Sequence, residues 1–98
     1  MKEMTANQLK EKLDAAEHVN VIDVREEEEI ATGKIPGAKH IPLGSFVNEF
    51  NTLDQDASYV IICRSGGRSA MACQLMSLNG YDACNVVDGM VAWTGDME

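Results

Sequence analysis

The chain has 98 residues, 45% of them hydrophobic, and a formal net charge of −8. This length suits one domain with a buried core, and the hydrophobic share excludes a disordered tail. The excess of acidic residues argues against nucleic acid or an anionic membrane surface as a partner. No apolar run is long enough to span a membrane, and no signal peptide is visible. We therefore expect residues 1–98 to form a single, monomeric, cytoplasmic domain.

The three cysteines predict free thiols rather than a disulfide framework, since their number is odd and nothing marks the chain for export. No Cys-x-x-Cys pair is present, and the two histidines, His18 and His40, are far apart in the sequence. These spacings predict no zinc site, and we expect no cofactor.

The first half of the chain alternates strands with helices. Thr5 to Gln8 match a capping box, in which two side chains satisfy the free amides at the start of a helix. The run from Glu26 to Glu29 places negative charge near the start of a short helix, and its simplest interpretation is a solvated acidic face. The elements predicted here are an edge strand at 1–4, a helix at 5–16, a strand at 19–24 and a helix at 26–31.

The second half continues this alternation. We expect Ser45 to cap one helix, Ser69 to cap another that ends at Asn79, and Gly80 to follow that end. The elements predicted here are a strand at 39–43, a polar loop at 51–58, strands at 59–62 and 84–87, and a short last helix that includes Val91 and Trp93. Together the two halves predict an α/β fold whose mostly parallel sheet has four to five strands flanked by helices.

The segment around Cys63 combines a strand, a tight loop and a helix. Cys63 directly follows the apolar run Tyr59–Ile62, and the loop Arg64–Arg68 contains Gly66 and Gly67. A cysteine in this position lies at the carboxyl end of a strand and faces the start of a helix. Open α/β sheets bind ligands at this edge, and a thiolate is favoured there.

Three features predict a low pKa for the Cys63 thiol: inward-pointing loop amides, the following helix, and the charges of Arg64 and Arg68. The loop contains no general base, and His40 is best explained as a structural histidine, so we expect an already ionised thiolate in an exposed polar loop. Cys73 and Cys84 are predicted to be packing residues, because one lies on a helix and the other begins an apolar strand.

Four segments then resemble the signature sequences of single-domain rhodaneses, the thiosulfate or persulfide sulfurtransferases. Those segments are Ile22–Glu26, Gly33–Ala38, Cys63–Ser69 and Val87–Trp93. The resemblance covers nearly the whole chain, and the four segments in this order are specific to that family. Two positions depart from the pattern: Lys34 replaces the usual histidine, and Met90 replaces a second glycine. Met90 puts substrate preference in doubt more than activity.

The resemblance implies a rhodanese-like three-layer fold and a persulfide mechanism. Cys63 takes the outer sulfur of a small anionic donor and passes it to cyanide, a thiol or a protein cysteine. The loop formed by Arg64, Ser65, Gly66, Gly67 and Arg68 binds the persulfide through its amides, and the two arginines orient the donor. Asp23 and Arg25 are supporting residues that brace the loop, although an ordinary salt bridge explains that pair equally well.

Three alternatives remain open from the sequence. Cysteine phosphatases and arsenate reductases also surround an anion with Cys and Arg, but they have five residues between the two, and only four separate Cys63 from Arg68. A rhodanese-like domain without activity would be a binding module, although such modules commonly lack the cysteine that this chain retains. A sulfur-relay domain would exchange sulfur with a protein partner instead of thiosulfate.

Overall fold

The computed structural model describes residues 1–98 and contains a five-stranded sheet. Its strands are Lys2–Met4 (β1), Asn20–Asp23 (β2), Lys39–His40 (β3), Ser58–Ile62 (β4) and Asp82–Val86 (β5). They lie in the order β1-β5-β4-β2-β3, and every neighbouring pair is parallel. The predicted α/β fold with four to five parallel strands is therefore confirmed.

The helices lie between these strands in the chain. They are Ala6–Asp14 (α1), Glu27–Ile30 (α2), Leu43–Glu49 (α3) and Gly67–Leu78 (α4), with short 3₁₀ helices at Phe50–Thr52 and Met90–Ala92. The longest of them, α4, has 12 residues. No helix has both the length and the apolar composition that a membrane span requires.

The central strand β4 shows how the two faces of the sheet are covered. Val60 and Ile62 point into a core under α1, which contributes Ala6 and Leu9. The alternate residues of β4 point into a second core under α3 and α4; these are Tyr59 and Ile61, followed by Cys63. Since side chains alternate along a strand, the apolar run of β4 fills both cores. The molecule thus has three layers, and Cys63 faces α4.

Several local predictions are confirmed. The Gln8 amide donates to Thr5 Oγ1 at 3.1 Å, and the Thr5 amide donates to Gln8 Oε1 at 2.8 Å, which completes the capping box of α1. The edge strand forms as β1. Gly80 follows α4 with φ +85°, a conformation that glycine adopts without steric cost. Helix α1 ends at Asp14, two residues before the predicted end.

The prediction that Ser45 caps a helix is wrong. Helix α3 begins at Leu43, with Pro42 as its cap residue in an extended conformation. Proline has no amide hydrogen that would be left unpaired at the start of a helix. Its fixed backbone angle also suits the entry of a helix, so the helix begins directly after Pro42. For the same reason β3 ends at His40 and not at Leu43.

The prediction that Ser69 caps α4 is also wrong. Gly66 occupies the cap position with φ +96°, and α4 begins at Gly67. The left-handed backbone of Gly66 lets the chain enter the helix three residues earlier than expected. Ser69 therefore lies inside the first turn, where its side chain is fully buried.

Candidate active site around Cys63

Hydrogen-bond donors surround the sulfur of Cys63 at the carboxyl end of β4. The amides of Gly66 and Ser69 donate to Cys63 Sγ at 3.2 and 3.4 Å. The hydroxyl oxygen of Ser69 lies 3.3 Å from the same sulfur. Both residues belong to the start of α4, so the positive end of that helix also faces the sulfur. This arrangement stabilises negative charge on one sulfur atom.

The pKa of the Cys63 thiol reflects two opposing effects. Burial raises the pKa. Hydrogen bonds from the Ser69 hydroxyl and from the amides of Ser69, Ser65 and Gly66 lower it by more, so the pKa of the thiol lies below its ordinary value. Arg64 and Arg68 are not among the principal causes, which departs from the sequence interpretation. The loop amides were one of the three predicted causes, and the buried Ser69 hydroxyl is a further cause that the sequence did not indicate.

Cys63 is more enclosed than its sequence neighbourhood suggests. The residue is 1% exposed, whereas the prediction of an exposed polar loop concerned the residues that follow it. Of the loop residues, Arg64, Ser65 and Gly67 are exposed, Arg68 is half-buried and Gly66 is buried. The sulfur is enclosed because the loop folds over it, with the amides of Gly66 and Ser69 pointing at Cys63 Sγ.

The two loop arginines differ sharply in their surroundings. Arg64 is exposed and forms no ion pair. Arg68 donates through both terminal nitrogens to the two carboxylate oxygens of Glu29, at 2.5 and 2.8 Å. Hydrogen bonds from Arg68 and from the Glu26 amide lower the pKa of Glu29 to about 2. Glu29 is therefore a partner of the loop, and the interpretation of all four glutamates as a solvated face is wrong at this position.

Asp23 and Arg25 form a buried ion pair behind the loop. Asp23 is fully buried and Arg25 is 5% exposed. Their side chains are joined at 2.8 and 3.0 Å, and Arg25 also donates to the Gly33 carbonyl at 2.8 Å. These contacts hold the turn after α2, and they approach the Cys63 loop through Glu29, whose carbonyl lies 3.5 Å from Arg25 Nη1. As predicted, His40 is structural, with Nε2 2.7 Å from the Arg25 carbonyl.

Asn85 on β5 supports the loop from below. Its Nδ2 donates to the Gly66 carbonyl at 3.2 Å, and its Oδ1 is buried without a partner. An unpaired buried acceptor destabilises the fold. The hydrogen bond from Asn85 to Gly66 therefore comes with the destabilising burial of the Asn85 Oδ1 atom. Asn85 was not among the predicted site residues, although a polar residue within a largely buried strand was a usable signal.

A groove of about 390 Å³ lies against the loop. Its lining combines charged residues with apolar ones: Arg25, Glu29, Thr32, Arg64, Met90, Val91 and Met97. The amides of Met90 and Val91 donate to the carbonyls of Cys63 and Arg64, so this wall is joined directly to the loop. Met90 thus lies in the groove wall, whereas Lys34 is turned away and donates to the Ala38 carbonyl.

The other two cysteines do not share this environment. Burial raises the pKa of Cys73 to about 12 and also raises that of Cys84. Cys73 is fully buried in the core under α4. Cys84 lies half-buried on β5, beside the core under α1. Both remain protonated at neutral pH, which leaves Cys63 as the thiol favoured for ionisation.

Ser69→Ala is expected to slow alkylation of Cys63 at neutral pH by about tenfold, because a hydrogen bond to a charged group is worth roughly 1.5–3 kcal/mol. The rate should be followed against pH with a small alkylating reagent, and its midpoint should move to higher pH. Ser77→Ala is the matched control, since Ser77 lies exposed on the same helix. A pH profile identical to that of the parent would show that the hydroxyl does not stabilise the thiolate.

The fold and the site define a class of protein. A parallel α/β sheet carries one cysteine at its carboxyl edge, and helix-start amides surround that sulfur. The chain matches the family of the rhodanese-like domain over residues 5–96. It belongs to that family.

Relatives extend the match to nearly the whole chain. A protein of Bacillus subtilis named "Putative sulfurtransferase YtwF" is 47% identical over 96 residues, which cover 98% of this chain and 93% of that one. A sulfurtransferase of Allochromatium vinosum is 35% identical and covers 93% of this chain and 86% of its own. The crystal structure of a rhodanese-like domain protein from Staphylococcus aureus is 40% identical, with a TM-score of 0.92 over 100% of this chain and 97% of that one.

Proposed function

We propose that this protein is a sulfurtransferase that carries sulfane sulfur on Cys63, taking it from thiosulfate or a persulfide and giving it to cyanide, a thiol or a protein cysteine. The observation that carries the proposal is the set of donors around Cys63 Sγ. Two amides and one hydroxyl lie within 3.4 Å of that sulfur, and they favour the anionic thiolate. The three free cysteines suit a reducing compartment, so we propose a cytoplasmic setting.

The proposed reaction has two halves. The Cys63 thiolate attacks the outer sulfur of thiosulfate, the sulfur–sulfur bond breaks, and sulfite leaves with the electron pair. With a persulfide donor, the leaving group is the donor's thiolate. Cys63 then carries a terminal sulfur anion, which the loop amides stabilise. In the second half, the acceptor attacks this terminal sulfur and the Cys63 thiolate is restored.

Each residue has a proposed role in this reaction. Cys63 is the nucleophile and carrier. The amides of Gly66 and Ser69 and the Ser69 hydroxyl stabilise its charge, together with the amide of Ser65. Arg64 draws in the anionic donor, while Gly67 and Arg68 begin the helix whose amino end faces the sulfur. Asp23 and Arg25 support the turn that holds Glu29 against the loop.

The test is a mass measurement after exposure to donor. The protein is incubated with thiosulfate, and in a parallel sample with a persulfide, and its intact mass is taken without reductant. We expect the gain of one sulfur atom in the parent and in Cys73→Ser/Cys84→Ser, and none in Cys63→Ser. An equal gain in Cys63→Ser would place the sulfur on another cysteine and contradict the proposal.

A second candidate function is a binding module without catalysis, and the 1% exposure of Cys63 is the observation that favours it. The same experiment separates the two functions. If the parent gains no sulfur from either donor, the loop does not open to them and the binding module becomes the better explanation.

A further inference from the structure

The charges around the groove match a donor with a single negative charge. Arg64 is the groove's exposed cation without an ion pair. The second groove cation, Arg25, is buried and neutralised by Asp23. Arg68 lies next to the groove, but both of its terminal nitrogens bind Glu29. A doubly charged anion therefore meets one available cation, and it gains a second only by displacing a carboxylate.

The carboxylate of Glu29 does not leave Arg68 readily. The pair is bidentate, a geometry that adds both energy and directional preference to an ion pair. The Glu26 amide also donates to Glu29 at 3.0 Å, which fixes the side chain at the start of α2. The lowered pKa of Glu29 keeps it ionised at every physiological pH. A doubly charged donor must compete with this charge.

The apolar wall of the groove suits an organic donor. Val91 is 65% exposed and Met97 is 48% exposed, and both line the groove together with Met90. Thiosulfate has no carbon skeleton to pack against these side chains, whereas a persulfide carried on a thiol has one. Methionine is flexible and polarisable, so it adapts to varied apolar partners.

We infer that Glu29 selects the donor class: by occupying Arg68 it disfavours doubly charged inorganic donors, and the groove takes singly charged organic persulfides. This inference rests on the proposed function of Cys63. In the favoured reaction the Cys63 thiolate attacks the outer sulfur of the persulfide, and the organic thiolate leaves with the electron pair of the broken bond. Glu29 touches no reacting atom and acts through Arg68, so it is a positioning residue.

The experiment compares two donors at equal ionic strength, thiosulfate and the persulfide of 2-mercaptoethanol. The rate at which Cys63 gains one sulfur atom is followed by intact mass in a single turnover. Glu29→Gln is expected to raise the rate with thiosulfate by about tenfold, because it frees Arg68 and removes a like charge. The rate with the persulfide should change less than about twofold.

Glu28→Gln is the matched control. It removes one charge from the same helix, but Glu28 lines a different groove, formed with Pro42 and Ser45. Its donor ratio should equal that of the parent. Thermal unfolding of both variants verifies that they are folded.

Two results would overturn the inference. Glu29→Gln lowering both rates equally would make the Arg68–Glu29 pair a structural brace, and an increase with Glu28→Gln as large as with Glu29→Gln would make the effect one of net charge. Failure of the proposed function looks different, because then the parent gains no sulfur from either donor and the inference falls with it.

Discussion

Asp23→Ala is expected to lower the free energy of unfolding by about 3–5 kcal/mol, because it leaves the buried Arg25 guanidinium without its counter-ion. Asp23 is fully buried and accepts four hydrogen bonds from Arg25, one from its amide and three from its side chain. The total free energy of unfolding of a small protein is commonly about 5–15 kcal/mol, so this loss would be a large share of the stability. Urea-induced unfolding followed by far-UV circular dichroism measures it.

Asp14→Ala provides the matched control for this prediction. Asp14 pairs with Lys10 at 2.7 Å on the surface of α1, where its side chain is 64% exposed. Exposed pairs of this kind contribute about 0–1 kcal/mol, so the same change of residue should have little effect there. Equal losses in the two variants would show that burial of the Asp23–Arg25 pair does not determine its contribution.

Gly66→Ala is expected to reduce sulfur loading of Cys63 by about a hundredfold or more, since displacement of reacting groups by about 1 Å commonly has an effect of this size. Gly66 has φ +96°, and an added Cβ would lie 2.2 Å from the Val87 carbonyl oxygen. That oxygen belongs to the backbone and cannot move aside alone. The loop must shift, and the Gly66 amide then leaves the Cys63 sulfur.

The loading rate with either sulfur donor measures this effect, and Gly44→Ala is the control. Gly44 lies in α3, where an added Cβ would meet no atom within 4 Å and the backbone needs no positive φ. Its loading rate should stay close to that of the parent. Normal loading in Gly66→Ala would mean that the loop tolerates the displacement, and that its amides do not set the reactivity of Cys63.

The fold was predictable because its signals are local and repeated. The apolar run of β4, the capping box of α1 and the glycine after α4 each report the conformation of a few neighbouring residues. The caps of α3 and α4 were mistaken because a serine was preferred over a nearby proline or glycine. In both cases the backbone restriction of Pro42 or the freedom of Gly66 outweighed a side-chain hydrogen bond.

The candidate site was predictable in its nucleophile but not in its supporting contacts. Cys63 could be identified from its place between a strand and a glycine-containing loop. Glu29 could not be distinguished from three neighbouring glutamates, because only the packing of α2 beside the loop brings its carboxylate to Arg68. The role of the Ser69 hydroxyl likewise depends on α4 starting three residues early, which places that side chain in the first turn, where it is buried.

The outer strands of the sheet have a consequence for self-association. Strand β1 has three residues and β3 has two, and each carries a lysine, Lys2 and Lys39. Unpaired backbone at a sheet edge is a template for pairing with another chain, and short, charged edges resist it. These edges therefore offer little unpaired backbone with which a neighbouring molecule could extend the sheet. The sheet that places Cys63 at its carboxyl end thus also has edges that disfavour edge-to-edge aggregation.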